Sequence, residues 1–275
     1  MRRQMNSDPD QKTVDELIEL ALTESDEDAA WDAVVALHGR GTPEVLEKAT
    51  ALTKSDDPDE RSLGADILGQ LGRKEGVEQH RFPKESVEIL LGMLPAEEEP
   101  EVLEAILTAL SHLKDAKAIP AVAQLVKHPD AEVRHAAVLA LMGHDDQAAI
   151  DLLIELSVDE DPEVRDWATF ALGTQLEADA PDIRRALADR LEDPDDVVRG
   201  EALVGLARRK DDRVVPALKQ ELQAEDVEEL FVGAAELIAS PELHAPLLAL
   251  CERWDGDDEV MERALAACEP ADGDS

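Results

Sequence analysis

The sequence contains few aromatic residues, few cysteines and few basic residues. It has no Tyr, three Trp, three Phe and two Cys, at positions 251 and 268. Two such cysteines form neither a disulfide framework nor a metal-binding pattern. Lys and Arg number 27 against 65 Asp and Glu, a formal net charge of −38. Duplex nucleic acid and anionic membranes are poor partners for this chain because both attract basic surfaces.

Long apolar runs are also missing. No stretch of 18 uncharged apolar residues occurs, so no transmembrane helix is expected. Arg2 and Arg3 are not followed by the apolar segment of a secretory signal. These features and the free thiols predict a cytoplasmic protein.

Hydrophobic residues make up 44% of the chain, which favours a folded protein over an acidic disordered one. The scarcity of Lys beside abundant Asp is typical of proteins from a high-salt cytoplasm, where salt screens the repulsion between carboxylates. The alternative is a biased genome composition with well-solvated helix faces. Both explanations remain open at this point.

One residue pattern recurs along the chain. Its clearest copies are DPDERSLGADILG (57–69), PDAEVRHAAVLALM (129–142), DPEVRDWATFALG (161–173) and DPDDVVRGEALVGLA (193–207). In each copy a turn with Asp or Pro precedes an Arg, a small residue three positions later and a Leu seven positions later. This last position predicts eight repeats of about 31 residues, at Leu37, Leu68, Leu110, Leu141, Leu172, Leu206, Leu237 and Cys268.

Each repeat has two apolar stretches with helical spacing, and no alternating strand pattern occurs. The sequence therefore predicts an all-α fold, an α-α superhelix of about eight helix pairs without a sheet. The expected tails are a flexible one at 1–12 and a disordered one at 269–275, and 73–82 is an insertion. The predicted repeats lie near 13–40, 43–72, 83–115, 116–145, 147–176, 178–210, 211–240 and 242–268.

The DPxVRxxAxxALG pattern resembles the HEAT repeat, in the short bacterial form known as the phycobilisome-lyase HEAT-like repeat. In HEAT proteins the motif Arg usually bonds a turn Asp of its own repeat or of the next one. The resemblance therefore implies a structural ladder that joins Arg61, Arg134, Arg165 and Arg199 to Asp57, Asp130, Asp161 and Asp195. The other interpretation of these arginines is a row that binds anions.

No catalytic residue, metal ligand or cofactor site is predicted. The chain lacks a nucleophile elbow, a P-loop, GxGxxG and HExxH. Deoxyhypusine hydroxylase, a HEAT-like enzyme, holds iron with His-Glu dipeptides, and none of the seven His here precedes Glu. A lyase, chaperone or oxidoreductase activity, as in other HEAT-like families, stays open as the alternative function. A toxin-binding immunity protein is a second alternative, which similar bacterial proteins at toxin loci suggest.

The leading hypothesis is a monomeric, non-enzymatic scaffold that binds a protein on the surface lined by second helices. Two of the six Trp and Phe residues lie three positions apart in one repeat, on the face beside the core. The interpretation that they pack between helices is equally consistent with the sequence. Trp31 and Trp254 are expected to pack in the terminal caps. The candidate partner-binding residues are Trp167, Phe170, Leu139, His135, Val204 and Leu63.

The densest basic stretch, 184–213, is close to neutral because acidic residues alternate with its arginines. A salt-bridged helix surface is the favoured interpretation. The weaker alternative is an anion site formed by Arg208, Arg209, Lys210 and Arg213.

Salt dependence of folding tests the high-salt hypothesis. The Debye length falls from about 30 Å at 0.01 M salt to about 3 Å at 1 M, so molar salt suppresses carboxylate repulsion. If the acidity is an adaptation to salt, far-ultraviolet circular dichroism will show helix loss at low salt and recovery at molar salt. Full helix content at low salt would contradict the hypothesis.

Overall fold

The structure is a computed structural model that describes residues 11–73 and 80–270. Over these residues it has sixteen α-helices and no β-strand, so the predicted all-α fold class is confirmed. Most of both predicted tails and most of the 73–82 insertion lie outside the described residues. The chain divides into two compact halves, residues 1–141 and 142–275.

Four helix pairs form the N-terminal half. The two helices of each pair contact each other, and the second helices α2, α4, α6 and α8 contact one another in succession. These second helices therefore form a continuous layer, with the first helices packed against it. The helices are α1 (Val14–Thr23), α2 (Glu27–Arg40), α3 (Pro43–Leu52), α4 (Pro58–Gln70), α5 (Pro83–Met93), α6 (Pro100–Leu113), α7 (Ile119–Val122) and α8 (Ala131–Leu141).

The C-terminal half repeats this arrangement with four more pairs. Its second helices α10, α12, α14 and α16 again contact one another in succession. A π-helical turn, Ala171–Gln175, continues α10. The helices are α9 (Gln147–Leu156), α10 (Pro162–Phe170), α11 (Pro181–Arg190), α12 (Asp196–Arg208), α13 (Val214–Glu221), α14 (Glu229–Ile238), α15 (His244–Cys251) and α16 (Asp258–Ala267).

The Asp of the repeat motif starts the second helix. Asp161 and Asp195 each accept hydrogen bonds from two backbone N–H groups of the following turn. Asp57 and Asp130 each accept one such bond. Pro follows Asp57 as the first residue of its helix, where no intrahelical bond requires its missing N–H. These carboxylates therefore satisfy backbone donors that the helix itself leaves unpaired.

The motif Arg forms hydrogen bonds to the turn that precedes its helix. Arg165 donates through Nη1 to the carbonyl oxygens of Asp159 and Glu160, at 3.0 and 3.2 Å. The other motif arginines bond the same two turn carbonyls, six and five residues upstream. These pairs are Arg61 with Ser55 and Asp56, Arg134 with His128 and Pro129, and Arg199 with Asp193 and Pro194.

Arg61 and Arg165 also bond a carboxylate of a later repeat. Arg61 forms a two-point ion pair with Glu97 at 2.8 and 3.0 Å, and Arg165 forms one with Asp193 at 3.1 Å for both bonds. Each carboxylate lies two residues before the N-cap of a second helix. Arg165 thus bonds a turn Asp of the next repeat, Asp193, whereas the carboxylates of Asp57 and Asp161 accept bonds from helix N–H groups.

The repeated Leu position is buried in the first six repeats. In the seventh, Leu237 is 39% exposed, whereas Ile238 is 6% exposed and takes the core position. The repeat pattern placed Leu237 in the core by residue type. Because Leu237 and Ile238 are adjacent and both apolar, the spacing could not show which of them is buried. Cys268 is buried at the end of the eighth repeat, while Cys251 is exposed despite its apolar spacing.

Glycine permits a close backbone approach between the π-helical turn and α12. A Cβ added to Gly205 would lie 2.6 Å from the Gly173 Cα and 3.0 Å from a Leu187 methyl carbon. Because no Cβ can approach a backbone atom so closely, the two repeats would have to separate. In contrast, a Cβ on Gly233, within α14, would meet no atom within 4 Å.

These two glycines make a matched pair of substitutions. We expect Gly205→Ala to lower the free energy of unfolding by about 1–3 kcal/mol through overpacking. Gly233→Ala is expected to raise it by about 0.5–1 kcal/mol, since Ala is the better helix former. Denaturant titrations of both variants measure these changes, and equal effects would contradict the close approach.

Candidate functional site

An aromatic pair lies on α10 in the C-terminal half. The Trp167 and Phe170 ring centroids are 5.8 Å apart, with the rings at 84°, an edge-to-face contact. Both side chains are half-buried, so each keeps a solvent-facing portion. The π-helical turn begins at the next residue, Ala171, and π-turns within helices are frequent at functional sites.

Two carboxylates accompany the aromatic pair, Asp166 on α10 and Glu201 on α12. Burial, and then the nearby Asp166 charge, raise the pKa of Glu201 to about 6. Burial also raises the pKa of Asp166, with further contributions from Asp195 and Glu163. One oxygen of Asp166, Oδ1, is buried without a hydrogen-bond partner. Negative charge is therefore concentrated here at a cost in solvation.

Helix α12 adds an apolar residue to this region. Val204 is half-buried and lies three residues after Glu201, so both share one side of the helix. Helices α10 and α12 contact each other directly. We call the set Asp166, Trp167, Phe170, Glu201 and Val204 the α10–α12 surface.

The remaining predicted contact residues belong to the N-terminal half. His135 and Leu139 on α8 are half-buried. Leu63 on α4 is only 7% exposed, and Ala136, at the same repeat position, is 1% exposed. Leu63 thus belongs mainly to the core and offers little area to a partner. The equivalent Trp167 is half-buried and keeps more exposed area than Leu63.

A carboxylate pair that sequence reasoning passed over lies in the N-terminal half. Burial, and then the charge of Glu104, raise the pKa of Asp66 on α4 to about 6. Burial also raises the pKa of Glu104 on α6. Asp66 occupies the repeat position that holds Leu139, Phe170 and Val204 elsewhere. The presence of Asp66 at a repeat position that is otherwise apolar is the sequence feature that could have indicated this pair.

Three of the four candidate anion ligands contact oxygen atoms of the protein itself. Arg209 donates to four carbonyl oxygens, those of Leu172, Gly173, Ala178 and Gly205. Lys210 bonds the Leu237 carbonyl, and Arg213 forms a two-point ion pair with Asp211. Arg208 is exposed. The arrangement supports the salt-bridged surface rather than an anion site.

In the stretches 11–73 and 80–270, no cluster of three or more His, Cys, Asp or Glu side chains has a geometry suited to a metal ion. Within the same stretches, every helix is too short or too polar to cross a membrane.

Comparison with solved structures shows which folds this chain resembles. The E. coli protein YibA superimposes with a TM-score of 0.79 and 24% identity, covering 98% of this chain and all of YibA. Importin beta gives a TM-score of 0.60 at 15% identity, with 93% of this chain and 42% of importin beta covered. An engineered protein gives 0.57 at 20% identity, with 93% and 77% covered. At these identities the similarity establishes the fold alone.

Sequence comparison identifies the family. A search of curated proteins gave no match. The family model for HEAT repeats matches residues 87–173 and 156–239, which together span more than half of the chain. With helix pairs stacked through their second helices, the chain belongs to the HEAT-repeat family.

Proposed function

We propose that this protein is a non-enzymatic scaffold that binds a protein partner on the α10–α12 surface. HEAT-repeat folds generally mediate protein interactions, and stacked repeats offer extended binding surfaces. The single observation that carries the proposal is the aromatic pair beside two carboxylates of raised pKa. Aromatic anchors surrounded by polar groups are where binding energy concentrates in protein interfaces.

The electrostatics of this surface select the partner's chemistry. Burial raises the pKa of both carboxylates. The charge of Asp166 raises the pKa of Glu201 further, and acidic neighbours raise that of Asp166. A positive side chain placed between them would relieve this repulsion, while Trp167 and Phe170 would cover an apolar neighbour. The proposed partner segment is therefore basic and apolar, and the net charge of −38 would speed its approach.

Truncation of the aromatic pair tests this site. We expect Trp167→Ala with Phe170→Ala to lose specific partners in a pulldown from native lysate at native salt, because the anchors are gone. The matched control is Val158→Ala with Val197→Ala, which truncates two exposed side chains of the same half, 60% and 56% exposed. Circular dichroism verifies that both double variants fold. An unchanged set of bound proteins in the folded aromatic variant would refute the site.

The raised pKa of Glu201 predicts that this residue lowers the stability of the fold at the proposed binding surface. Because the folded-state pKa of about 6 exceeds the ordinary Glu pKa of 4.5, the ionised side chain destabilises the fold above pH 6. This penalty disappears as the pH falls below the unfolded-state value. Glu201→Gln should therefore add about 1 kcal/mol of stability at pH 7.5, after allowance for solvent screening.

Denaturant titrations at pH 7.5 and pH 4 measure this effect. The gain from Glu201→Gln should be present at the higher pH and largely absent at the lower one. The exposed Glu252→Gln serves as the control, and we expect it to leave stability unchanged at both pH values. A Glu201→Gln variant less stable than the wild type at pH 7.5 would show that its carboxylate stabilises the fold.

A further inference from the structure

A cleft lies in the N-terminal half, and its residues are distant in sequence from the α10–α12 surface. Its volume is about 450 Å³, and helices α1, α2 and α4 line it. Its lining includes the apolar side chains of Leu22, Val34 and Leu63, the indole ring of Trp31, and the three carboxylates of Glu27, Asp59 and Asp66. The volume lies within the range of about 300–1,000 Å³ that is usual for ligand-binding clefts. We call it the α2–α4 cleft.

Trp31 is the most unusual residue of this cleft. It was expected to pack in the N-terminal cap, yet the structure leaves it 56% exposed. Its ring and that of His38 form an edge-to-face contact, with centroids 6.4 Å apart. Val35, one turn along α2, is 48% exposed and extends the apolar area. Exposed large side chains that adjoin a cleft indicate a surface used for binding.

Asp66 gives the cleft its charge. In the part of the chain that the structure describes, no donor or cation pairs with its half-buried carboxylate, and Glu104 on α6 adds a second negative charge. His38 bonds the Asp66 backbone oxygen through Nε2 at 3.2 Å, so it does not reach the carboxylate. Burial lowers the pKa of His38 to about 4, and the ring is therefore neutral at pH 7. The cleft thus lacks a positive charge of its own.

The chemistry of the cleft narrows its ligand to one class. Anions are repelled by the lining carboxylates of Asp66, Glu27 and Asp59. A wholly apolar ligand would leave the Asp66 carboxylate desolvated and unpaired. A guanidinium group meets both demands, since its flat face stacks on indole and its edge donates two parallel hydrogen bonds to a carboxylate. The ammonium of Lys is compact and more strongly hydrated, so it stacks less well.

We propose that the α2–α4 cleft binds an arginine side chain of a protein partner, with the guanidinium on Trp31 and Asp66. An apolar residue beside that arginine covers Val35. This inference rests on the proposed function, because it names a second anchoring point for the same kind of basic and apolar segment. It concerns other residues, and so it can fail independently.

Nuclear magnetic resonance separates the two sites. The chain has three Trp, so its indole N–H signals can be assigned with single Trp→Phe variants. The probe is acetyl-Leu-Arg-Leu-amide, titrated to about 10 mM because one anchored side chain supports only millimolar affinity. We expect the Trp31 signal to shift in a saturable manner. The neutral citrulline peptide and the Lys peptide should each bind at least several-fold more weakly.

Substitutions then test the named contacts. Asp66→Asn should weaken binding of the arginine peptide about tenfold, because the isosteric amide removes the charge. Asp32→Asn is the matched control, an exposed acid next to Trp31 that does not line the cleft, and it should change affinity less than twofold. Trp31→Leu keeps an apolar side chain without the aromatic face and should also weaken binding.

Several outcomes would overturn the inference. These are an unmoved Trp31 signal, equal binding of the arginine and lysine peptides, or full affinity in a folded Asp66→Asn variant. A shift of Trp167 alone would support the proposed function and overturn this cleft. A shift of Trp31 alone would support the cleft while the α10–α12 surface fails with this probe.

Discussion

In four repeats, the turn before the second helix depends on the motif arginine, which is Arg61, Arg134, Arg165 or Arg199. One guanidinium nitrogen holds two carbonyl oxygens of its own turn, and in Arg61 and Arg165 the others hold a carboxylate of a later repeat. Carbonyls at a turn have no partners in a helix or sheet, so a charged donor is a strong way to satisfy them. The same side chain thereby sets the angle of one helix and the spacing to the next pair.

This arrangement gives many of the acids a structural task. Asp161 and Asp195 cap helices, and Asp193 and Glu97 pair with arginines while accepting backbone N–H bonds in their own turns. Asp66, Asp166 and Glu201 differ, since their pKa values are raised and the cost of burial is not offset by a cation. Some acids therefore stabilise the fold, and others destabilise it. The destabilising acids lie in the two proposed binding sites.

The sequence predicted most of the fold, because repeat period, helix caps and apolar spacing are local properties. The sequence did not predict contacts or burial that depend on distances in three dimensions. The spacing did not show that Arg165 would reach Asp193, or that Ile238 rather than Leu237 would enter the core. Of the candidate contact residues, Trp167 and Phe170 could be selected from the scarcity of aromatics. The exposure of Trp31 and the burial of Leu63 could not, since both depend on how large side chains fill the gaps between helices.

Arg209 has a consequence for how the aromatic surface could evolve. Its four bonds to carbonyls include Leu172 and Gly173 of the π-helical turn, which begins directly after Phe170. The position of the aromatic rings is thus set partly by a residue of the next repeat that would itself touch no partner. A substitution at Arg209 could therefore alter recognition while every contact residue is retained. Recognition by the proposed α10–α12 surface therefore depends on residues of neighbouring repeats together, not on those of a single helix.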